Sequence, residues 1–188
     1  MNQYRIHCSN PWSNRAKEVV TLSHTTVSQL EVAAYTVPTD LPESDGTLEW
    51  NSTTLVLVQA HGGNQIGIGY TYADTATATL IRDLLSKIVK GGDAMAPALI
   101  WNAMVSRIRN LGRPGISSMA ISAVDIALWD LKARLLNVPL LTLLGAVRNS
   151  VPIYGSGGFT SYSDKQLAKQ LDDWADRGLG RWRNFRRD

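Results

Sequence analysis

The chain has 188 residues, 44% of them hydrophobic, and its 19 Lys and Arg against 16 Asp and Glu give a formal net charge of +3 at pH 7. This composition is typical of a globular protein, and because no apolar run approaches the roughly 20 residues of a membrane span, it argues against an integral membrane protein. Five arginines of the basic excess lie in residues 177–188, so the rest of the chain is close to neutral, which disfavours nucleic-acid binding.

The first 26 residues show neither helical nor strand periodicity, and they lack the apolar stretch of a secretory signal. We interpret residues 1–26 as an extension without regular structure. Cys8 is the only cysteine, so no internal disulfide can form. These features are those of a protein of the reducing cytoplasm.

Alternating apolar residues predict three strands, over 27–37, 53–60 and 65–72. We expect the first strand to end at Pro38, because proline cannot donate to a ladder, and residues 38–46 to form a loop. The sequence His61-Gly62-Gly63-Asn64 is typical of the turn of a hairpin. Together these segments predict a three-stranded antiparallel sheet.

Helices follow the strands. Asp74 is a candidate N-cap for a helix that runs to Lys90, where two glycines end it. A second helix is predicted over 97–110, and a third over 117–136, which is apolar on nearly every side and is therefore expected to be central. Residues 140–144 predict a further helical turn.

The pattern changes near residue 150. We expect a short buried strand over 151–154, a glycine-rich loop over 155–158, and a helix over 163–177 whose start carries the capping-box pair Ser163 and Gln166. A strand, a loop and a helix in this order predict one β/α unit, with a parallel strand beginning just after Gly178.

The helix sequence SMAISAVDIALWDLKAR at 118–134, followed by NVPL at 137–140 and LLG at 143–145, resembles the mandelate racemase and muconate lactonizing enzyme branch of the enolase superfamily. The resemblance extends over about residues 27–178. It implies an α+β fold: an enolase-like N-terminal capping domain over 27–147, then the first β/α unit, over 148–178, of an incomplete TIM-type barrel. An arginine-rich tail at 179–188 departs from the family pattern.

The resemblance also implies a chemistry, which is Mg²⁺-assisted removal of the proton α to a carboxylate, as in acid-sugar dehydratases and racemases, which are lyases and isomerases. A metal ion must neutralise the developing ene-diolate while a Lys or His base takes the proton. In this family the metal carboxylates and the bases come from later barrel strands. Where the family has Lys-x-Lys on the second strand, this chain has Arg183-Asn184-Phe185, neither end of which can act as a base.

We therefore interpret the chain as a truncated family member that is itself inactive, with no catalytic residue, no metal ligand and no cofactor of its own. Its full-length parent would use Mg²⁺ and a small carboxylate or acid-sugar substrate. Two other interpretations of the chain remain open: a non-catalytic interaction module, and a small basic nucleic-acid-binding protein. The unfinished barrel would leave a strand edge unpaired, so we also expect self-association there.

The same resemblance indicates where a substrate would lie in the parent enzyme. Two capping loops, 38–46 and 69–72, would close over the C-terminal ends of the barrel strands. The predicted pocket residues are Tyr70 and Tyr72 on the second of these loops, and Tyr154 and Ser156 at the first barrel strand.

Three other polar residues have both a chemical and a structural interpretation. Asp125 and Asp130 could bind a hard cation, but they lie about 140° apart on one helix, so we favour hydrogen bonds or ion pairs. His61 could be catalytic, but it has no evident orienting partner, so we favour a role in the turn.

Overall fold

The computed structural model of the chain describes residues 25–184. Strands β1 (Gln29–Ser44), β2 (Glu49–Gly62) and β3 (Gln65–Tyr72) form an antiparallel sheet in that order. A continuous helix, α1, is built from Thr75–Leu80, a π-helical turn Ile81–Leu85, and Ser86–Val89. Helices α2 (Pro97–Arg107), α3 (Ile116–Leu135) and α4 (Leu140–Leu144) follow, and then strand β4 (Gly155–Gly157), helix α5 (Asp164–Asp176) and strand β5 (Trp182–Asn184).

The three-stranded sheet confirms the predicted α+β fold, with β3 at the predicted bounds. The hairpin turn is shorter than predicted. Gly63 and Asn64 have φ values of +53° and +62°, as a two-residue type I′ turn requires. His61 lies within β2 opposite Ile66, so its assignment to the turn is wrong.

The first strand does not end at Pro38, and the predicted loop over 38–46 is wrong for most of its length. Strand β1 continues to Ser44, with a shift of register between Pro38 and Glu43. The continuation is possible because β1 is an edge strand, where a proline costs no ladder hydrogen bond. Residues 38–52 thus form a two-stranded arm that extends from the sheet.

Local capping chemistry places the helix ends as predicted. The Asp74 carboxylate accepts a hydrogen bond from the Ala76 N–H at 2.8 Å, and Gly91, at φ +83°, follows the end of α1. Ser163 and Gln166 form both hydrogen bonds of the predicted capping box at the start of α5. These caps satisfy N–H groups that a helix leaves unpaired.

Helix α3 packs directly on β3. A Cβ atom at Gly67 or Gly69 would lie only 2.1 Å from the carbonyl oxygen of Ala127 or Ala123, respectively. The core between the sheet and the helices contains fully buried apolar residues from every layer, including Val56, Val58, Leu85, Met104, Leu128 and Leu131.

Asp130 has the structural role that the sequence favoured. Its Oδ2 atom accepts hydrogen bonds from the Ile68 N–H on the outer edge of β3 and from Nε of Arg134, both at 2.8 Å. The carboxylate therefore satisfies an edge-strand donor and fixes α3 against the sheet.

The first strand of the β/α unit lies later than predicted. Residues 151–154 are irregular and exposed, and β4 is formed by residues 155–157, which were predicted as loop. The reason is close packing: a Cβ atom at Gly155 would lie 2.7 Å from the Trp174 ring of α5, so only a glycine strand fits there. Strand β5 pairs with β4 in parallel, which confirms the strand predicted after Gly178.

The predicted extension, 1–26, lies outside the described residues as far as position 24. Thr25 and Thr26 belong to the folded part: the Thr25 carbonyl accepts the Ala94 N–H at 2.9 Å, and Thr26 forms a bridge with Asp93. Val27, next in the chain, is fully buried.

Candidate functional site

The tip of the arm docks on the loop that follows β4. The Ser44 carbonyl accepts hydrogen bonds from the backbone N–H of Thr160 at 2.9 Å and from its hydroxyl at 3.1 Å. The hydroxyls of Ser44 and Thr160 also pair at 2.9 Å, and the Ser161 hydroxyl donates to the Pro42 carbonyl at 2.7 Å. Four hydrogen bonds thus join residues that are more than 110 positions apart in the chain.

Aromatic rings reinforce this junction. The Trp50 ring packs edge-on against Phe159, with centroids 5.6 Å apart, and Phe159 packs in the same way on Tyr162 at 5.5 Å. Nε1 of Trp50 donates to the Glu43 carboxylate at 2.6 Å, which holds the indole ring in the arm. Beside Trp50 lies a cleft of about 400 Å³ lined by Pro42, Glu49 and Asn51.

The docking point lies at the carboxyl end of β4, where barrel enzymes form their active sites. Gly155 and Gly157 face α5 and are buried, whereas Ser156 points to the opposite side and is exposed. The Gly158 N–H donates to Oε1 of Gln170 at 2.8 Å, which fixes the start of the docking loop. Ser156 and the arm tip therefore flank the same end of this strand.

The charges at the junction come from the arm. Burial, and then the negative charges of Glu43 and Asp40, raise the pKa of Tyr162. In the turn of the arm, Oδ1 of Asp45 accepts hydrogen bonds from the Thr47 hydroxyl at 2.6 Å and from the N–H groups of Thr47 and Leu48, each at 2.9 Å. These bonds, the hydroxyl first, lower the pKa of Asp45 to about 2.

Lowering the pH until the Asp45 carboxylate is protonated is expected to loosen the turn of the arm. Because the pKa of this carboxyl lies below its ordinary value of 3.8, the carboxylate stabilises the fold above pH 3.8, and the contribution is lost as the pH falls through about 2. Carboxyl ¹³C NMR should give a midpoint near 2 for Asp45. In Thr47→Val, which lacks the hydroxyl donor, the midpoint should move toward 3.8. A wild-type midpoint already at 3.8 would contradict these hydrogen bonds in the turn.

The four predicted pocket residues lie in two different parts of the fold. Tyr70 and Tyr72 are on β3 of the three-stranded sheet, whereas Tyr154 precedes β4 and Ser156 lies in it. Tyr70 and Tyr72 project from the same face of β3, so the predicted loop at 69–72 is wrong: these residues are strand. Tyr72 lines a cleft of about 350 Å³, formed also by Ser52, Asp74 and Met119, that contains neither Tyr154 nor Ser156. This cleft lies at the end of the sheet from which the arm extends.

Sequence reasoning missed the residues that join the two units, Ser44, Trp50, Phe159 and Thr160. Only one signal in the sequence marks them: Phe159 and Thr160 directly follow the glycine-rich segment at 155–158. Their partners on the arm carry no motif, because a contact between positions so far apart leaves no local pattern.

The described residues do not fit a magnesium site. Within residues 25–184, no three His, Cys, Asp or Glu side chains lie close enough to hold a metal ion together. Asp125 is half-buried beside Trp101 and Arg113 in a cleft of about 170 Å³, and burial raises the pKa of its carboxyl.

Within residues 25–184, no helix combines the length and the apolar character needed to cross a membrane.

Comparison with known proteins gives the fold a family context. The sequence model of the mandelate racemase and muconate lactonizing enzyme N-terminal domain matches residues 17–145. The 3,6-anhydro-α-L-galactonate cycloisomerase of Streptomyces coelicolor is 33% identical over 139 residues, which are 70% of this chain and 38% of that enzyme. The L-talarate/galactarate dehydratase of Salmonella typhimurium is 33% identical over 123 residues, 61% of this chain and 30% of its own.

Two solved structures are similar over most of the described chain. A mandelate racemase/muconate lactonizing enzyme-like protein from Rubrobacter xylanophilus superposes with a TM-score of 0.82 at 54% identity, over 85% of this chain and 44% of that one. A racemase from Streptomyces coelicolor, solved with bound magnesium, gives a TM-score of 0.79 at 31% identity, over 83% and 45%. The chain thus spans about a third of these curated relatives and somewhat less than half of these solved proteins.

Proposed function

The chain belongs to the mandelate racemase and muconate lactonizing enzyme family, and we propose that it supplies the capping domain and first β/α unit of an enzyme that removes the proton α to the carboxylate of an acid sugar. The observation that carries this proposal is the arm docked at the carboxyl end of β4, through Ser44 and Thr160. Relatives that act on acid sugars as cycloisomerases and dehydratases support the substrate class.

In this proposal the arm and the sheet end enclose the substrate from one side. The rings of Trp50 and Phe159 exclude water from the docking point, which strengthens electrostatic interactions inside a site. Ser156, exposed on the side of β4 opposite α5, and Tyr154 line the pocket from the barrel. Tyr72 lines it from the sheet. These groups bind and orient, and none of them is placed to take the proton.

We assign the base, the carboxylate ligands and their Mg²⁺ to barrel strands beyond those described, in a full-length relative. The racemase solved with magnesium supports the metal. Arg183 lies in β5 opposite Ser156 in the ladder, and arginine stays protonated at every physiological pH. We therefore propose that these 188 residues have no activity alone. We also propose a cytoplasmic location for the full-length parent, because the chain has a single cysteine and so no internal disulfide.

Solvent deuterium exchange at the α-carbon of an acid-sugar library tests the proposal. The 188-residue chain is compared with a chimera in which residues 25–178 replace the matching segment of the Rubrobacter xylanophilus relative. We expect exchange by the chimera with Mg²⁺ and none above background by the chain, because the missing groups act as a unit.

Two results would contradict the proposal. Metal-dependent exchange by the homogeneous 188-residue chain would overturn its inactivity. A folded chimera that exchanges no acid sugar, while the parent relative does, would show that this capping domain serves another substrate class.

A further inference from the structure

The side chain of Gln170 joins helix α5 to strand β4 and to the loop that follows this strand. From the middle of α5, its Oε1 atom accepts a hydrogen bond from the N–H of Gly158 at 2.8 Å. Its carboxamide also packs on Gly157, where a Cβ atom would lie 2.6 Å from Oε1 and 2.8 Å from Nε2. Gln170 therefore contacts both the last residue of β4 and the first residue of the docking loop, which comprises residues 158–162.

The chain leaves β4 in a conformation that this hydrogen bond selects. Gly158 has a φ of +69°, and glycine adopts both signs of φ about equally readily. Gly158 is buried, so loss of the Gln170 acceptor would leave its N–H without this bond in a buried place. An unsatisfied buried donor costs more than an ordinary hydrogen bond contributes. Gln170 thus fixes the direction in which the docking loop leaves the strand.

The docking loop carries the groups that hold the arm. Two residues after Gly158, the N–H and the hydroxyl of Thr160 donate to the Ser44 carbonyl, and the Ser161 hydroxyl donates to the Pro42 carbonyl. The side-chain bonds among these are exposed to solvent, so each contributes only modestly to docking. The arm therefore stays docked only while the loop presents Thr160 and Ser161 together.

Gln170 lies beside the arm but on the far side of β4 from the proposed substrate. With Asp40 and Leu41 of the arm, it lines a cleft of about 290 Å³ between the arm and α5. Gly157 faces α5, whereas Ser156 points to the opposite side of the strand. A substrate bound beside Ser156 is thus separated from Gln170 by the strand itself.

We propose that Gln170 is a positioning residue for the reaction, which holds the arm in its docked arrangement through Gly158 and the docking loop. This inference rests on the proposed function, in which the arm encloses the substrate. When the Gln170 bond is lost, the arm is docked in a smaller fraction of the molecules, and the apparent affinity for substrate falls with that fraction. Saturating substrate restores the docked arrangement, because it binds that arrangement better. Loss of the bond therefore raises KM and leaves kcat nearly unchanged.

Amide hydrogen exchange in the full 188-residue chain, measured by NMR, tests the link from Gln170 to the arm. Gln170→Met keeps an unbranched side chain but removes the acceptor, and we expect the Thr160 amide to exchange at least about tenfold faster in this variant. Gln170→Ala should give the same result. Gln170→Glu, which keeps an acceptor oxygen, should stay within about twofold of the wild type. Lys165→Met, exposed on the same helix, is the control and should also match the wild type.

The same substitutions in the Rubrobacter xylanophilus chimera provide the kinetic measurement. We expect Gln170→Met to raise the KM for Mg²⁺-dependent α-proton exchange at least about threefold, with kcat within about twofold of the unmutated chimera. Gln170→Glu should restore the KM, and Lys165→Met should not change it. The amide of Ala94, which donates to the Thr25 carbonyl in the capping domain, should exchange equally in every variant of the 188-residue chain. This amide shows that the capping domain remains folded.

Four results bear against these proposals. Unchanged exchange of the Thr160 amide in folded Gln170→Met and Gln170→Ala would overturn the role of Gln170. An equal effect of Gln170→Glu would also overturn it, because the acceptor bond would then not be the cause. A fall in kcat at unchanged KM would do so as well, since Gln170 would then act on the reacting groups. An inactive unmutated chimera would overturn the proposed function alone, and the Thr160 amide would still decide whether Gln170 holds the arm.

Discussion

Replacement of Gly69 by alanine is expected to destabilise the fold by about 3 kcal/mol or more, at the upper end of the effects of overpacking. The new Cβ atom would lie 2.1 Å from the Ala123 carbonyl oxygen and 2.6 Å from the Ala127 nitrogen, both in the backbone of α3. A flexible side chain could turn away, but a helix backbone must move as a whole. Every contact between α3 and the sheet would then loosen, which should also weaken the hydrogen bond from Ile68 to Asp130.

Thermal and urea unfolding of Gly69→Ala measure this effect, and about 3 kcal/mol corresponds to a fall in Tm of roughly 6–12 °C for a chain of this size. Gly180→Ala is the matched control, because among the described residues no atom lies within 4 Å of its added Cβ, and its φ is not positive. That substitution should be neutral or slightly stabilising, since alanine restricts the unfolded chain. Equal stability of the two variants would show that α3 and β3 are not in direct backbone contact at Gly69.

The features that could be predicted from the sequence are those decided by neighbouring residues. Asp74 and the pair Ser163 and Gln166 mark helix starts because a cap is completed within three residues. Strand β3 is likewise visible in its own alternation. The order of the capping domain and the first β/α unit followed from the family resemblance. That resemblance could be seen because residues 118–134 carry it within one segment, the central helix.

The features that could not be predicted depend on partners far away in the sequence. Pro38 reads as a strand end, and only its place on an edge strand lets β1 continue to Ser44. Residues 151–154 read as a buried strand because they are apolar, yet the approach of Trp174 selects Gly155 and its neighbours for β4. Composition alone does not reveal either constraint.

The candidate site likewise has one part that could be predicted from the sequence and one part that could not. Ser156 was predicted from the resemblance, and it lies beside the loop on which the arm docks. Its role in a pocket remains a prediction. The docking contacts of Ser44 and Trp50 involve an arm that was expected to be a loop, so no pairing of the arm with residues 159–161 could be inferred.

The second large effect is expected for Leu131→Ala, which should lower the free energy of unfolding by about 2–5 kcal/mol. Leu131 is fully buried in α3, and its Cδ2 atom, which alanine lacks, lies 3.3 Å from the position where Gly62 would carry a Cβ. The end of the leucine side chain therefore fills the space that this glycine leaves between the helix and the sheet. The strands are hydrogen-bonded to each other there and cannot collapse into the cavity, so most of the lost packing remains uncompensated.

Ile126→Ala provides the control for this substitution on the same helix. Ile126 is 41% exposed, so the change removes the same number of side-chain carbon atoms from a site that water already reaches. Urea denaturation of both variants, with a common m-value, should give a loss for Leu131→Ala at least twice that for Ile126→Ala. Equal losses would mean that the face of α3 carrying Ile126 is as well buried in solution as the face against the sheet. The central helix would then have to be rotated about its axis relative to β2 and β3.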